Sequence, residues 1–152
     1  RYCNSLLAAK RLEVSSTTLP QMSIPRVMGD SRYAPHLRRR EQLFNARADE
    51  AVAAFADCDS VVVNKPGGAF YFTVMFRDGV LDDRQTLRID DARVRARIEQ
   101  MVVGVAPDKR FVYYLMGATG IVVVPLTGFQ SNHHGFRITL LESDDAKRAW
   151  IL

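Results

Sequence analysis

The stretch Gly120–Glu142, GIVVVPLTGFQSNHHGFRITLLE, decides how this chain is read. Its first part, Ile121–Pro125, is a β-branched apolar run of the kind that forms buried strands. A loop rich in Gly, Asn and His follows. Residues 136–141 then read as a second strand, with Arg137 set between Phe136 and Ile138. An arginine is almost never fully buried unless it is paired. Strand alternation puts Thr139 and Leu141 on the face of Arg137, and neither is acidic. The guanidinium therefore needs an anion from elsewhere, either a carboxylate brought by the fold or a ligand.

Working outward, Ala69–Phe76 (AFYFTVMF) is a further strand, whose unbroken apolarity suggests burial on both faces. It follows the turn Lys65-Pro66-Gly67-Gly68 and the short β-branched run Val61–Val63. Residues 77–91 are polar and punctuated and read as loop. A helix is expected over 91–102, capped by Asp90 or Asp91, with Val94, Ile98 and Met101 inward. Another starts at Pro107 or Asp108 and runs to about Gly117, with Phe111, Val112, Leu115 and Met116 as its apolar stripe. Ser143-Asp144-Asp145 caps a last helix, which is expected to be cut off at Leu152, truncating the domain there.

The N-terminal part is helical in pattern. Residues 4–14 form a helix with Asn4 as candidate cap, and Pro20 and Pro25 break or restart it. A long helix spans 31–57 from a Ser31 cap. One face carries Leu37, Leu43, Phe44, Ala48, Ala51, Val52 and Phe55; the other holds Arg38, Arg39, Arg40, Arg47 and Asp49. The expected fold is α/β or layered α+β. Its small mixed or antiparallel sheet contains strands 69–76, 121–125 and 136–141 and is covered by helices.

With 152 residues the chain is about one domain and long enough for a core of its own. Apolar content of 47% and charged content of 25% are those of an ordinary globular protein. The net charge of +4 favours anionic ligands without pointing to nucleic acid. Cys3 and Cys58 are too few and too far apart for a disulfide framework, so a reducing, cytoplasmic setting is expected. No apolar run reaches the roughly 18 residues of a membrane span. The start lacks both an apolar leader and a Met, as in a piece of a longer protein.

Three motifs then carry a resemblance. Pro66-Gly67-Gly68-Ala69-Phe70-Tyr71 resembles the P-x-G-A-F-Y strand entry of class I/II aminotransferases, the pyridoxal-phosphate enzymes of the aspartate aminotransferase fold. Leu115–Pro125, LMGATGIVVVP, is similar to their helix-to-strand passage. Gly135–Leu141, GFRITLL, is similar to their closing G-x-x-R-I-x-L strand. The motifs stand in the family's order and cover roughly residues 60–152. One departure is Leu126, where the family commonly has Gly; Gly128-Phe129 follow in the loop.

The resemblance implies that residues 31–152 are the C-terminal small domain of such an enzyme, with residues 1–30 a connecting helical segment from its large domain. It implies amino transfer between an amino acid and a 2-oxo acid, pyridoxal phosphate as cofactor, a large cofactor-binding domain, and a homodimer. It also makes Arg137 the group that binds the substrate α-carboxylate, with Phe70 and Tyr71 as candidate pocket wall. The family's coenzyme lysine, pyridinium aspartate and most phosphate ligands lie upstream of the small domain, and none is recognisable here. Lys10 and Lys65 lack the surroundings that a Schiff-base lysine needs.

Plainer readings stand beside these. On residue type alone, Arg137 is a structural arginine paired with an Asp or Glu. Phe70 and Tyr71 are core aromatics. His133 and His134, adjacent and without a third ligand at metal spacing, are a solvated loop pair rather than a metal site. Arg38-Arg39-Arg40 is a solvated helix face. Two other function classes are a non-enzymatic module that binds a small anion through Arg137 and a basic nucleic-acid-binding domain. No membrane partner and no nucleic-acid partner are expected.

Overall fold

The computed structural model describes residues 2–12 and 18–152. The chain divides into two compact units, residues 1–40 and 41–152. In the first, α1 spans Tyr2–Leu12 and α2 spans Thr18–Met28. Asn4 lies inside α1, so it is not the cap expected of it. The expected residues 13 and 14 of that helix fall outside the described ones. Pro20 sits in the first turn of α2, where its missing N–H costs nothing. Pro25 is accommodated inside the helix instead of ending it. Leu19, Met22, Val27 and Met28 are exposed.

The helix α3, Tyr33–Ala54, begins in the first unit and continues into the second. Asp30, not Ser31, organises its start: the Asp30 carboxylate accepts the Arg32 backbone N–H at 2.8 Å and the Arg32 guanidinium at 2.7 Å. That ion pair holds the Asp30 carboxyl below the usual carboxylate range.

The second unit is built on a four-stranded antiparallel sheet, order β1-β2-β4-β3. The strands are β1 Val61–Val63, β2 Tyr71–Phe76, β3 Val124–Pro125 and β4 Gly135–Thr139. The three expected strands thus share one sheet. The β2 ladder starts at Tyr71, later than the expected Ala69, because Ala69 takes the left-handed conformation at φ 59°. Likewise only Val124–Pro125 of the run 121–125 pairs with β4.

Register fixes which residues share a face. Val74 pairs with Phe136 and Phe72 with Ile138, so Phe72, Val74, Phe136, Ile138 and Leu140 point to one side. There they form one core with Ala48 and Ala51 of α3 and with Val112 of α5, Pro107–Thr119. Phe111 stacks on Phe136 with ring centroids 5.8 Å apart. Burying Phe72 and Val74 completely contributes about 1.5–3 kcal/mol each. The opposite face carries Tyr71, Thr73, Arg137, Val124 and Thr139, all exposed or half-buried. The expectation that strand 69–76 is buried on both faces is therefore corrected: α3 and α5 cover one side only.

A second cluster joins α4, Ala92–Met101, to α5 through Ile89, Ile98, Val102 and Tyr114. Asp91 caps α4 by accepting the N–H groups of Arg93 and Val94. Val94, expected inward, is exposed. Gly120 ends α5 at φ 78°, a left-handed cap that glycine enters without a steric penalty. The last helix, α6 Asp145–Ile151, is capped by Asp144 as its sequence suggests. Arg148 ties it to Glu50 of α3 at 2.8 Å, and this bond raises the Arg148 pKa.

Gly135 is where β4 has no room for a side chain. A Cβ there would come within 2.3 Å of the Val74 carbonyl oxygen and 2.8 Å of Leu126 Cδ1. Gly135→Ala is expected to force β2 and β4 apart and cost about 1–3 kcal/mol, the usual scale of overpacking. Urea denaturation measures it; an unchanged midpoint would show that the strands separate freely.

Candidate anion-binding site

Alternation along β4 places Arg137 on the open face, and its cross-strand neighbours are Thr73 and Val124. Neither is charged. Its guanidinium carbon lies 4.2 Å from the Tyr71 ring centroid and 3.9 Å from that of Phe129. The cation is thus clamped between two aromatic rings. A guanidinium held in this way keeps its edge N–H groups for in-plane acceptors, while the ring quadrupoles favour its charge. Among the described residues, no hydrogen bond or ion pair to Arg137 is found. The arginine expected within core is half-buried, and no Asp or Glu among the described residues neutralises it.

The two rings come from different elements. Tyr71 is the first residue of β2 and is paired with Thr139. Phe129 ends the 3-10 turn Leu126–Phe129 that follows β3. Phe70 sits one residue before β2, half-buried, with its ring against Phe44 at 6.1 Å and Tyr71 at 4.7 Å. Phe129 had no place among the candidate residues. Its signal was the position after Gly128 in the loop between the two strands, which alone does not say where a loop side chain lands.

A buried carboxylate underlies the turn. Asp108, in the first turn of α5, is completely buried. It accepts the Thr127 backbone N–H at 2.9 Å, the Thr127 hydroxyl at 2.7 Å and the Lys109 N–H at 2.8 Å. Three donors and the helix N-terminus compensate its burial. The buried Nδ1 of His134 lacks a hydrogen-bond partner and lies 3.8 Å from Asp108 Oδ1. His134 is therefore half inside the fold, unlike the solvated pair expected; His133 is exposed.

Arg47 is the second correction. Assigned to the polar face of α3, it is only 7% exposed. Its guanidinium donates to the Leu140 carbonyl oxygen at 2.7 Å, and its Nε has no partner. Helical spacing puts Arg47 beside Ala48 and Ala51, at the edge of the apolar stripe. Its long stem lies against Phe44, 5.9 Å from the guanidinium carbon to the ring centroid. Arg38 and Arg39 are exposed, as expected of a solvated face.

The lysines do not offer a cofactor anchor among the described side chains. Lys65 is half-exposed and paired with Asp49 at 2.6 Å. Lys109 and Lys147 are exposed. The side chain of Lys10 falls outside the described residues. A lysine that forms a Schiff base needs a desolvated pocket, and none of these three has one. The described lysines therefore do not fit the anchor that pyridoxal phosphate needs. No described group of three or more His, Cys, Asp or Glu is arranged to hold a metal. No described helix is long and apolar enough to cross a membrane. Cys3 and Cys58 are free and exposed. A cleft of about 520 Å³ opens between Val122, Thr139, Glu142 and Trp150, and Arg137 is not part of its lining.

Comparison with known proteins agrees with the motifs. Over 151 residues the chain is 46% identical to an uncharacterized aminotransferase of Methanocaldococcus jannaschii. The match takes in 99% of this chain and 35% of that relative, so the chain spans about a third of its length. No family model matches the chain.

The Phe129 ring is 46% exposed. Phe129→Leu should therefore cost no more than about 0.5–1 kcal/mol of stability, the scale of an exposed cation–π contact. Urea denaturation decides this, and a loss of several kcal/mol would make Phe129 a core residue instead of a cover for Arg137.

Proposed function

We propose that this chain is the C-terminal small domain of an aminotransferase, and that Arg137 binds the α-carboxylate of the amino-acid or 2-oxo-acid substrate. The observation that carries the reading is the Arg137 guanidinium, clamped between Tyr71 and Phe129 with no carboxylate among the described residues against it. The likeness to the archaeal aminotransferase supports the same reading. So do the three sequence motifs, the third of which contains Arg137.

The chemistry of the site follows from the guanidinium. Its planar fork meets a carboxylate with two parallel N–H···O bonds, which set distance and orientation together. The flanking rings restrict the plane of the fork, so a bound carboxylate inherits that plane. Orientation of this kind lowers the entropic part of a barrier without touching the reacting bonds. Tyr71 and Phe129 also exclude water from both faces of the cation, which strengthens its attraction for an anion.

In this proposal the reaction is completed by a large domain outside this chain. Pyridoxal phosphate, as the cofactor implied by the resemblance, supplies the electron sink for amino transfer and is held by that domain. The described lysines of this chain give it no anchor. A homodimer, residues 1–30 as the connecting segment and a cytoplasmic setting belong to the same proposal.

Two measurements test it. In the enzyme that contains this chain, Arg137→Lys keeps the charge and loses the fork. It should lower kcat/KM by at least about 30-fold, from a loss of ~2 kcal/mol. A near-normal value would remove Arg137 from the substrate site. The 152-residue chain alone, mixed with pyridoxal phosphate and reduced with borohydride, should show no stoichiometric label at a single lysine. Stoichiometric label together with turnover of an amino acid would identify a complete small enzyme.

A further inference from the structure

Phe129 reaches Arg137 from a turn whose placement has an identifiable cause. The turn Leu126–Phe129 is held at two successive residues. Leu126 is 8% exposed, and its Cδ1 lies against Gly135. Thr127 gives both its backbone N–H and its hydroxyl to the fully buried Asp108 of α5. Two bonds from one residue to the two oxygens of one carboxylate fix rotation as well as position. Phe129 is two residues further on, inside the same short turn. The turn closes with the Gln130 and Ser131 N–H groups donating to Thr127 and Leu126, and Gln130 is left-handed at φ 60°. On the far side of the loop, the His134 carbonyl oxygen accepts the Phe76 N–H at 2.9 Å, while its unpartnered Nδ1 faces Asp108.

We propose that Asp108 is a positioning residue for the anion site. It acts through Thr127 to hold Phe129 on the Arg137 guanidinium, and so sets the plane in which Arg137 receives a carboxylate. This rests on reading Arg137 as the carboxylate-binding group. The geometry explains why a carboxylate is needed. Its two oxygens accept from Thr127 N, Thr127 Oγ1 and Lys109 N, whereas an asparagine would turn an N–H toward one of these donors. Asp108 is remote from Arg137 in role: it touches the turn, and the turn carries the ring. An apolar residue at 108 would leave the Thr127 N–H and hydroxyl without their acceptor.

The test separates position from function. In the 152-residue chain labelled with nitrogen-15, the Arg137 Nε–Hε resonance reports the two flanking rings through their ring currents. Phe129→Leu defines where that resonance lies with one ring. Asp108→Asn and Thr127→Val should both move it toward that position, and Thr127→Ser, which keeps the hydroxyl, should restore it. Thr127→Val leaves the buried carboxylate in place and serves if Asp108→Asn does not fold. In the enzyme that contains this chain, the same variants should raise KM for the amino acid roughly tenfold, equivalent to ~1.4 kcal/mol, with a smaller change in kcat. A resonance unmoved in both variants would overturn the positioning role, whatever Arg137→Lys does to activity. A resonance that moves, in an enzyme whose Arg137→Lys variant keeps a normal KM, would uphold the positioning of the guanidinium and overturn the substrate reading alone.

Discussion

The pairing of β4 with β2 is the constraint on which the rest of the structure depends. Gly135 lets the two backbones meet where a methyl group would strike the Val74 carbonyl. From that contact the register runs without interruption to Thr139 opposite Tyr71. It sends Phe136 and Ile138 under the helices and leaves Arg137 outside. A slip of one residue would exchange these sets and bury a guanidinium among Phe72, Val74 and Val112. The core and the exposure of Arg137 are therefore two consequences of one register.

Two arginines show how the fold treats a cation. Arg47 is nearly buried and holds the Leu140 carbonyl oxygen, with its Nε unpaired. It serves the junction between α3 and the end of β4. Arg137 is half-buried and has no protein acceptor among the described residues. Its stabilisation comes from the faces of Tyr71 and Phe129. The first arrangement satisfies a backbone carbonyl; the second leaves guanidinium donors without an acceptor among the described residues. The buried carboxylate of Asp108 belongs with them, because it orders the turn that supplies one of the two rings.

The open sheet face gives the likeness to the archaeal aminotransferase its physical sense. Within the second unit, α3 and α5 pack on one side of the sheet and the ring-clamped guanidinium lies on the other. The chain spans about a third of that relative, and its described lysines lack the desolvated setting that amino-transfer chemistry on a lysine requires. Binding and orientation are what the proposed function asks of these residues.

Much of the architecture was legible in the sequence because it depends on near neighbours. Helical spacing marked α4 and α5, the acidic caps Asp91 and Asp144 marked two helix starts, and β-branched or aromatic runs marked three strands. Arg137 stood out for the same reason: a cation in an apolar strand is visible within a window of six residues. What only the tertiary structure decided involves partners distant in the chain. The burial of Arg47 depends on Leu140, 93 residues away. The role of Asp108 depends on Thr127, 19 residues away. The one-sided cover of β2 depends on where α3 and α5 settle. Apolar content tells a strand that it can be buried, but only packing determines which of its faces meets a helix and which stays open.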